Sequence, residues 1–162
     1  MIDILVYLFE TYGYADACPE EPEQLTRKLS AAGFASEDIA EAIDWLRGLR
    51  LAARAEGVEQ RADKQSMRIL SEHEASRLDL ASRGFLCFLE HTGVLDQRRR
   101  ELVIERAMAM PETEVDLSSL KVIVLMVLWQ ERASVDSLIL EELLSDECEE
   151  EDAYDRESIT LH

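Results

Sequence analysis

The sequence predicts a mainly α protein, a compact bundle of about seven helices. Three observations predict it. Apolar residues recur at three- and four-residue spacing along most of the chain, Ser or Asp stands ahead of several of these runs where helix caps belong, and only six Gly and three Pro interrupt 162 residues. A hydrophobic content of 47% is enough to bury a core at this length.

Each element can be justified in turn. Ile2, Leu5, Val6, Phe9 and Tyr12 follow helical spacing behind Asp3, and Gly13 is a natural stop, so a first helix is expected over residues 3–12. Pro22 follows an acidic lead-in and suits a first helical turn, where its missing N–H is no loss and carboxylates favour the positive end of the dipole. Leu25, Leu29 and Ala32 then line a second helix that ends at Gly33. Ser36 is placed to cap a third, whose inward positions are Ile39, Ala42, Ile43, Leu46 and Leu49.

From Arg50 to Gln65 the helical period fades around Gly57, and Met67-Arg68-Ile69 alternates apolar and polar, which predicts a loop or small β-hairpin near 50–70. Three helices followed by a hairpin make residues 1–70 a winged-helix-like unit. Ser71-Glu72-His73-Glu74 is a capping box, and Leu78, Phe85 and Leu89 carry its helix toward Gly93. At about 20 residues and 30 Å this is predicted to be the longest helix.

Asp96 caps a fifth helix with Leu102, Val103, Ala107 and Met110, terminated by Pro111. Asp116 caps a sixth that holds the run from Val122 to Trp129. The β-branched residues of that run make a buried strand the rival reading, whereas the cap and the length from Leu117 to Gln130 favour helix. Ser134 opens a last helix through Leu138, Ile139, Leu143 and Leu144. Residues 71–145 thus form a second helical unit packed against the first, and 146–162 an acidic, flexible tail too poor in apolar surface to offset ordering. A shift of 80 residues aligns Leu5, Val6, Leu8 and Phe9 with Phe85, Leu86, Phe88 and Leu89, and Gly13 with Gly93. Two related three-helix units explain this echo, and so does chance similarity between amphipathic helices.

The charge balance narrows the partners. Acidic residues number 35 against 17 basic, a formal net of -18. The tail from Asp146 holds eight acids and one Arg, so most of the excess belongs to the helical body. Such a surface repels nucleic acid and anionic lipid, whose binding depends on Lys and Arg. Cys18, Cys87 and Cys148 match no disulfide framework or CxxC pair, and the amino-terminal residues carry no signal-peptide pattern, so a cytoplasmic location is expected. The longest apolar run is far short of a membrane span.

Several blocks resemble the bacterial Smg protein family. They include Asp3-Ile4-Leu5-Val6-Tyr7-Leu8-Phe9-Glu10-Thr11-Tyr12, Ala31-Ala32-Gly33-Phe34 with Asp38-Ile39 and Trp45-Leu46, and Ser66-Met67-Arg68-Ile69. Arg77-Leu78-Asp79, Arg83-Gly84-Phe85-Leu86, Phe88-Leu89-Glu90, Val103-Ile104-Glu105-Arg106 and the run from Val122 to Leu128 continue the likeness to about residue 144. The resemblance implies a small, acidic, cytosolic bacterial protein and assigns no reaction.

Catalytic patterns are not found. His73 and His91 stand without an HExxH, GxSxG, Cys/His or phosphate-loop signature, so neither an enzyme nor a metal or cofactor site is expected. A winged-helix nucleic-acid regulator is the alternative, and its reading helix would carry Glu37, Asp38, Glu41 and Asp44 toward phosphate, an objection that Arg47 and Arg50 do not offset. Arg98, Arg99 and Arg100 fall in a helical first turn, where cations oppose the dipole and call for an anion nearby. That anion is either intramolecular, through Glu101 or the tail, or a partner's carboxylate or phosphate. Met108 and Met110, ahead of Pro111, read as core or as an adaptable groove. The preferred reading is a non-enzymatic adaptor. It would act through the acidic face of the third helix, the arginine cluster or the methionines on another cytosolic protein, one that is basic or handles nucleic acid.

Overall fold

A computed structural model of the chain describes residues 1–55 and 69–145. Eight α-helices occur among these residues: α1 (Ile2–Thr11), α2 (Pro22–Ala31), α3 (Ser36–Arg54), α4 (Glu72–Arg77), α5 (Leu80–His91), α6 (Gln97–Met108), α7 (Leu117–Gln130) and α8 (Ser137–Leu144). A single 3-10 turn, Ala15–Ala17, joins α1 to α2. No strand occurs among the described residues, only an isolated parallel bridge between Leu78 and Val115.

The architecture is organised by α7. This helix is apolar nearly all round, so only a central position can bury it. Its residues from Ile123 to Trp129 are all buried, and α1, α3, α5, α6 and α8 pack around it. The helical reading of Val122–Trp129 holds over its strand rival, and Asp116 caps α7 by accepting from the Ser119 amide at 2.8 Å. Both tryptophans tie helix pairs together by donating their indole N–H to a backbone carbonyl: Trp129 to Tyr12 and Trp45 to Arg106, each at 3.0 Å. Buried side chains from both sides of residue 70 form one cluster, because α1 packs on α7 and α3 packs on α6 and α7.

Helix ends follow local chemistry. Pro22 opens α2, and Gly33 closes it in the left-handed region at φ 97°, with the Phe34 amide donating to Leu29 and the Gly33 amide to Ser30. That is a Schellman closure, and it delivers Phe34 edge-on against Tyr7 of α1. Gly93 closes α5 in the same way at φ 77°.

Several expectations need correction. The predicted helix from Ser71 to Gly93 is two helices: Leu78 turns extended to meet Val115, and Asp79 caps α5 by accepting from the Ser82 amide at 2.7 Å. Among the described residues the longest helix is therefore α3, with 19 residues. Its cap is Ala35 rather than Ser36, and α8 is capped by Asp136 rather than Ser134. The hairpin placed at 50–70 is not supported: 50–54 continue α3, and 56–68 lie outside the described residues, as does the acidic tail 146–162. With no strand among the described residues, the winged-helix likeness is unsupported too. The residues aligned by the 80-residue echo differ in burial, since Leu8 is buried and Phe88 exposed.

Candidate functional site

The arginine cluster is built by two helix ends that meet. Asp96 caps α6 by accepting from the Arg99 amide at 2.8 Å, which places three cations in the first turn against the positive end of the dipole. Glu131 caps the other end of α7, where a carboxylate meets the negative pole and is equally misplaced. The two errors cancel. Arg99 donates through Nε to Glu131 at 2.8 Å, and Arg98 lies 3.3 Å from the same carboxylate while donating to the Ala53 carbonyl at 2.7 Å. Arg100 pairs with Glu90 and, at 3.1 Å, with Glu101. Glu131 is only 12% exposed at its side chain. The cluster thus binds α5, α6 and α7 together through anions of the chain itself, and α3 through the Ala53 carbonyl.

Methionine placement is also structural. Met110 is in the core and Met108 is half-buried against it. Their backbone carbonyls, with that of Glu112, accept from the guanidinium of Arg77, the Met110 bond being 2.8 Å. A cation is well placed there, at the negative end of α6.

The acidic half of α3 is different. Glu37, Asp38, Glu41 and Asp44 are all exposed. Asp38 lies 3.6 Å from the Met1 amino group and Asp44 3.0 Å from Arg47, while Glu37 and Glu41 face no cation among the described residues.

Three polar residues escaped the sequence reading. Besides Arg77, Arg106 is buried against α3, donating to the Trp45 carbonyl at 3.3 Å and reaching Glu105 at 3.0 Å. Gly48 makes room for it, since any Cβ there would overlap the guanidinium. Lys121, 2% exposed within the most apolar helix, reaches Glu142 at 3.1 Å and the Ser145 hydroxyl at 3.3 Å, and its ammonium lies 5.6 Å from the centre of the Phe85 ring. A lone glycine inside α3 and a lone lysine beside the apolar run were the visible signals.

Burial pushes the Cys18 thiol up, opposed in part by the Arg50 guanidinium. Among the described residues no group of three or more His, Cys, Asp or Glu could hold a metal ion, and no helix is long and apolar enough to cross a membrane.

These features define a class: an acidic helical protein whose buried cations are engaged in holding helices together, with one carboxylate face left toward solvent. The profile of a family described as "Protein of unknown function (DUF494)" matches residues 1–152. The chain is similar to the protein named "Protein Smg homolog" of Aromatoleum aromaticum, with 55% identity over 93% of this chain and 96% of that one. Its likeness to the same-named proteins of Azoarcus sp. and Bordetella avium is 53% and 48%, over 93% and 91% of this chain and 96% of each relative. The chain therefore belongs to the Smg family. No solved structure matches it.

Proposed function

We propose that this Smg-family protein is a non-enzymatic cytoplasmic adaptor that presents the first half of α3 to a basic partner protein. One observation carries the reading: Glu37 and Glu41 are exposed and face no cation among the described residues, whereas the arginines of the α6 cluster are engaged by carboxylates of the chain. Unneutralised carboxylates on a rigid helix steer and orient a basic surface, such as that of a nucleic-acid-handling protein or a ribosomal component. The same carboxylates weigh against direct nucleic-acid binding by α3, since they would face phosphate.

Affinity capture from nuclease-treated bacterial lysate tests this with two baits. A stoichiometric protein held by the native chain and lost to the Glu37→Lys/Glu41→Lys/Asp44→Lys variant supports the reading. Equal recovery by both baits, or capture that nuclease abolishes, removes it.

A further inference from the structure

Charge reverses along α3. After Asp44 come Arg47, Arg50 and Arg54, which rim a cleft of about 150 Å³ between α2 and the second half of α3, walled by Leu25, Ile43 and Leu51. The helix dipole accounts for Arg54, which lies in the last turn. It does not account for Leu51, an aliphatic side chain 63% exposed among them.

We propose that this cleft docks an acidic amphipathic helix of a partner protein, its apolar stripe on Ile43 and Leu51 and its carboxylates on the three guanidinium groups. Charge complementarity identifies the occupant, and the chain shows the recognition chemistry in miniature. Arg54 holds Glu20 at 2.8 Å, Arg47 holds Asp44 at 3.0 Å, and Arg50 donates to the Pro19 carbonyl at 3.3 Å. The Arg47 and Arg54 side chains are 67% and 66% exposed, and pairs so exposed are worth about 0–1 kcal/mol, so a partner's carboxylates can replace them at little cost. A helix laid in an apolar groove with arginines at the rim combines area from the floor with specificity from bidentate pairing. The proposal does not rest on the acidic-face reading: the two halves of α3 would take partners of opposite sign.

The test is a fluorescence titration of the full chain with a synthetic helix-forming peptide bearing leucines at i, i+4 and i+7 and glutamates elsewhere. Micromolar binding that weakens with salt is expected. Arg47→Glu/Arg54→Glu should lower the affinity about tenfold or more, and Leu51→Asp comparably. Arg47→Gln/Arg54→Gln, a milder change, should lower it with the helical circular dichroism retained, and Glu37→Lys/Glu41→Lys should leave it within about twofold. Insensitivity to the arginine changes, or equal binding of the same peptide with lysines for glutamates, overturns the proposal. Two controls cover rival occupants. If converting the carboxylates of residues 146–157 to amides raises the affinity about tenfold, the chain's own tail is the occupant. If Arg47→Gln/Arg54→Gln turns a dimer into a monomer in sedimentation, a second copy is. Either result overturns the partner assignment, and unchanged values support it.

Discussion

The two arginine groups of this chain occupy opposite electrostatic positions and behave in opposite ways. Arg98, Arg99 and Arg100 stand at the wrong end of α6, yet Arg99 and Arg100 are largely buried against Glu131, Glu90 and Glu101, and Arg98, the more exposed of the three, leans on the same Glu131. Arg54 stands at the right end of α3 and Arg47 about two turns before it, yet their pairs with Glu20 and Asp44 are open to solvent. A run of three cations is the more conspicuous feature in the sequence, and it is the less available one. Misplacement is the reason: cations that oppose a helix dipole persist only where the fold supplies an anion, and supplying it immobilises them. Cations that suit the dipole need no such anion and stay exchangeable.

The largest expected effect extends the locked class to Arg77. Arg77→Ala would strip the donor from three carbonyls at the end of α6 and loosen the loop that bridges Leu78 to Val115. A loss of about 3 kcal/mol is expected in urea unfolding, with the m-value unchanged. A loss under about 1 kcal/mol would place Arg77 with the exchangeable arginines and blur the division. Next comes Glu131→Ala, expected to cost about 2 kcal/mol because Arg98 and Arg99 would then face the α6 dipole alone. A double-mutant cycle with Arg99→Ala should show coupling of about 1 kcal/mol, and additivity would mean that the pair is ornamental.

Legibility tracked the range of the interaction involved. The caps Ser71, Asp96 and Asp116, Pro22 at a helix start and Gly33 and Gly93 at helix ends are local devices, and each was readable within a few residues. The break at Leu78 was not, because it is bound to Val115, far along the chain. Leu78 therefore looked like one more apolar position in a continuous helix. Likewise the need for an anion near Arg98 was legible from the dipole, but its identity was not: Glu131 becomes a neighbour only when α6 and α7 pack. The acidic half of α3 was readable as a face, since its spacing alone sets the carboxylates outward.

Gly48 sits between Arg47 and Arg50 yet serves an arginine of the other kind. In an open helix Gly→Ala gains about 0.5–1 kcal/mol. Here the added Cβ would meet the Arg106 guanidinium, which is buried and bonded to Trp45, so Gly48→Ala is expected to lose about 1 kcal/mol instead. In an Arg106→Met background the space opens and the sign should reverse, with Gly48→Ala raising the urea midpoint. A gain in the native background would mean that Arg106 can move aside at no cost, and that its burial does not lock it.

The smallest effects belong to the exchangeable group, and their smallness is the point. Arg47→Ala and Arg54→Ala each remove one exposed ion pair, so each should shift stability by about 0.5 kcal/mol or less, and less again at high salt. Thermal unfolding at low and high ionic strength measures both. A loss above about 1.5 kcal/mol for either would make that arginine a structural clamp like Arg99, and the cleft beside α3 would then have no free cations to offer. A near-silent result, beside a large one at Glu131, separates arginines that hold the fold from arginines free to hold something else.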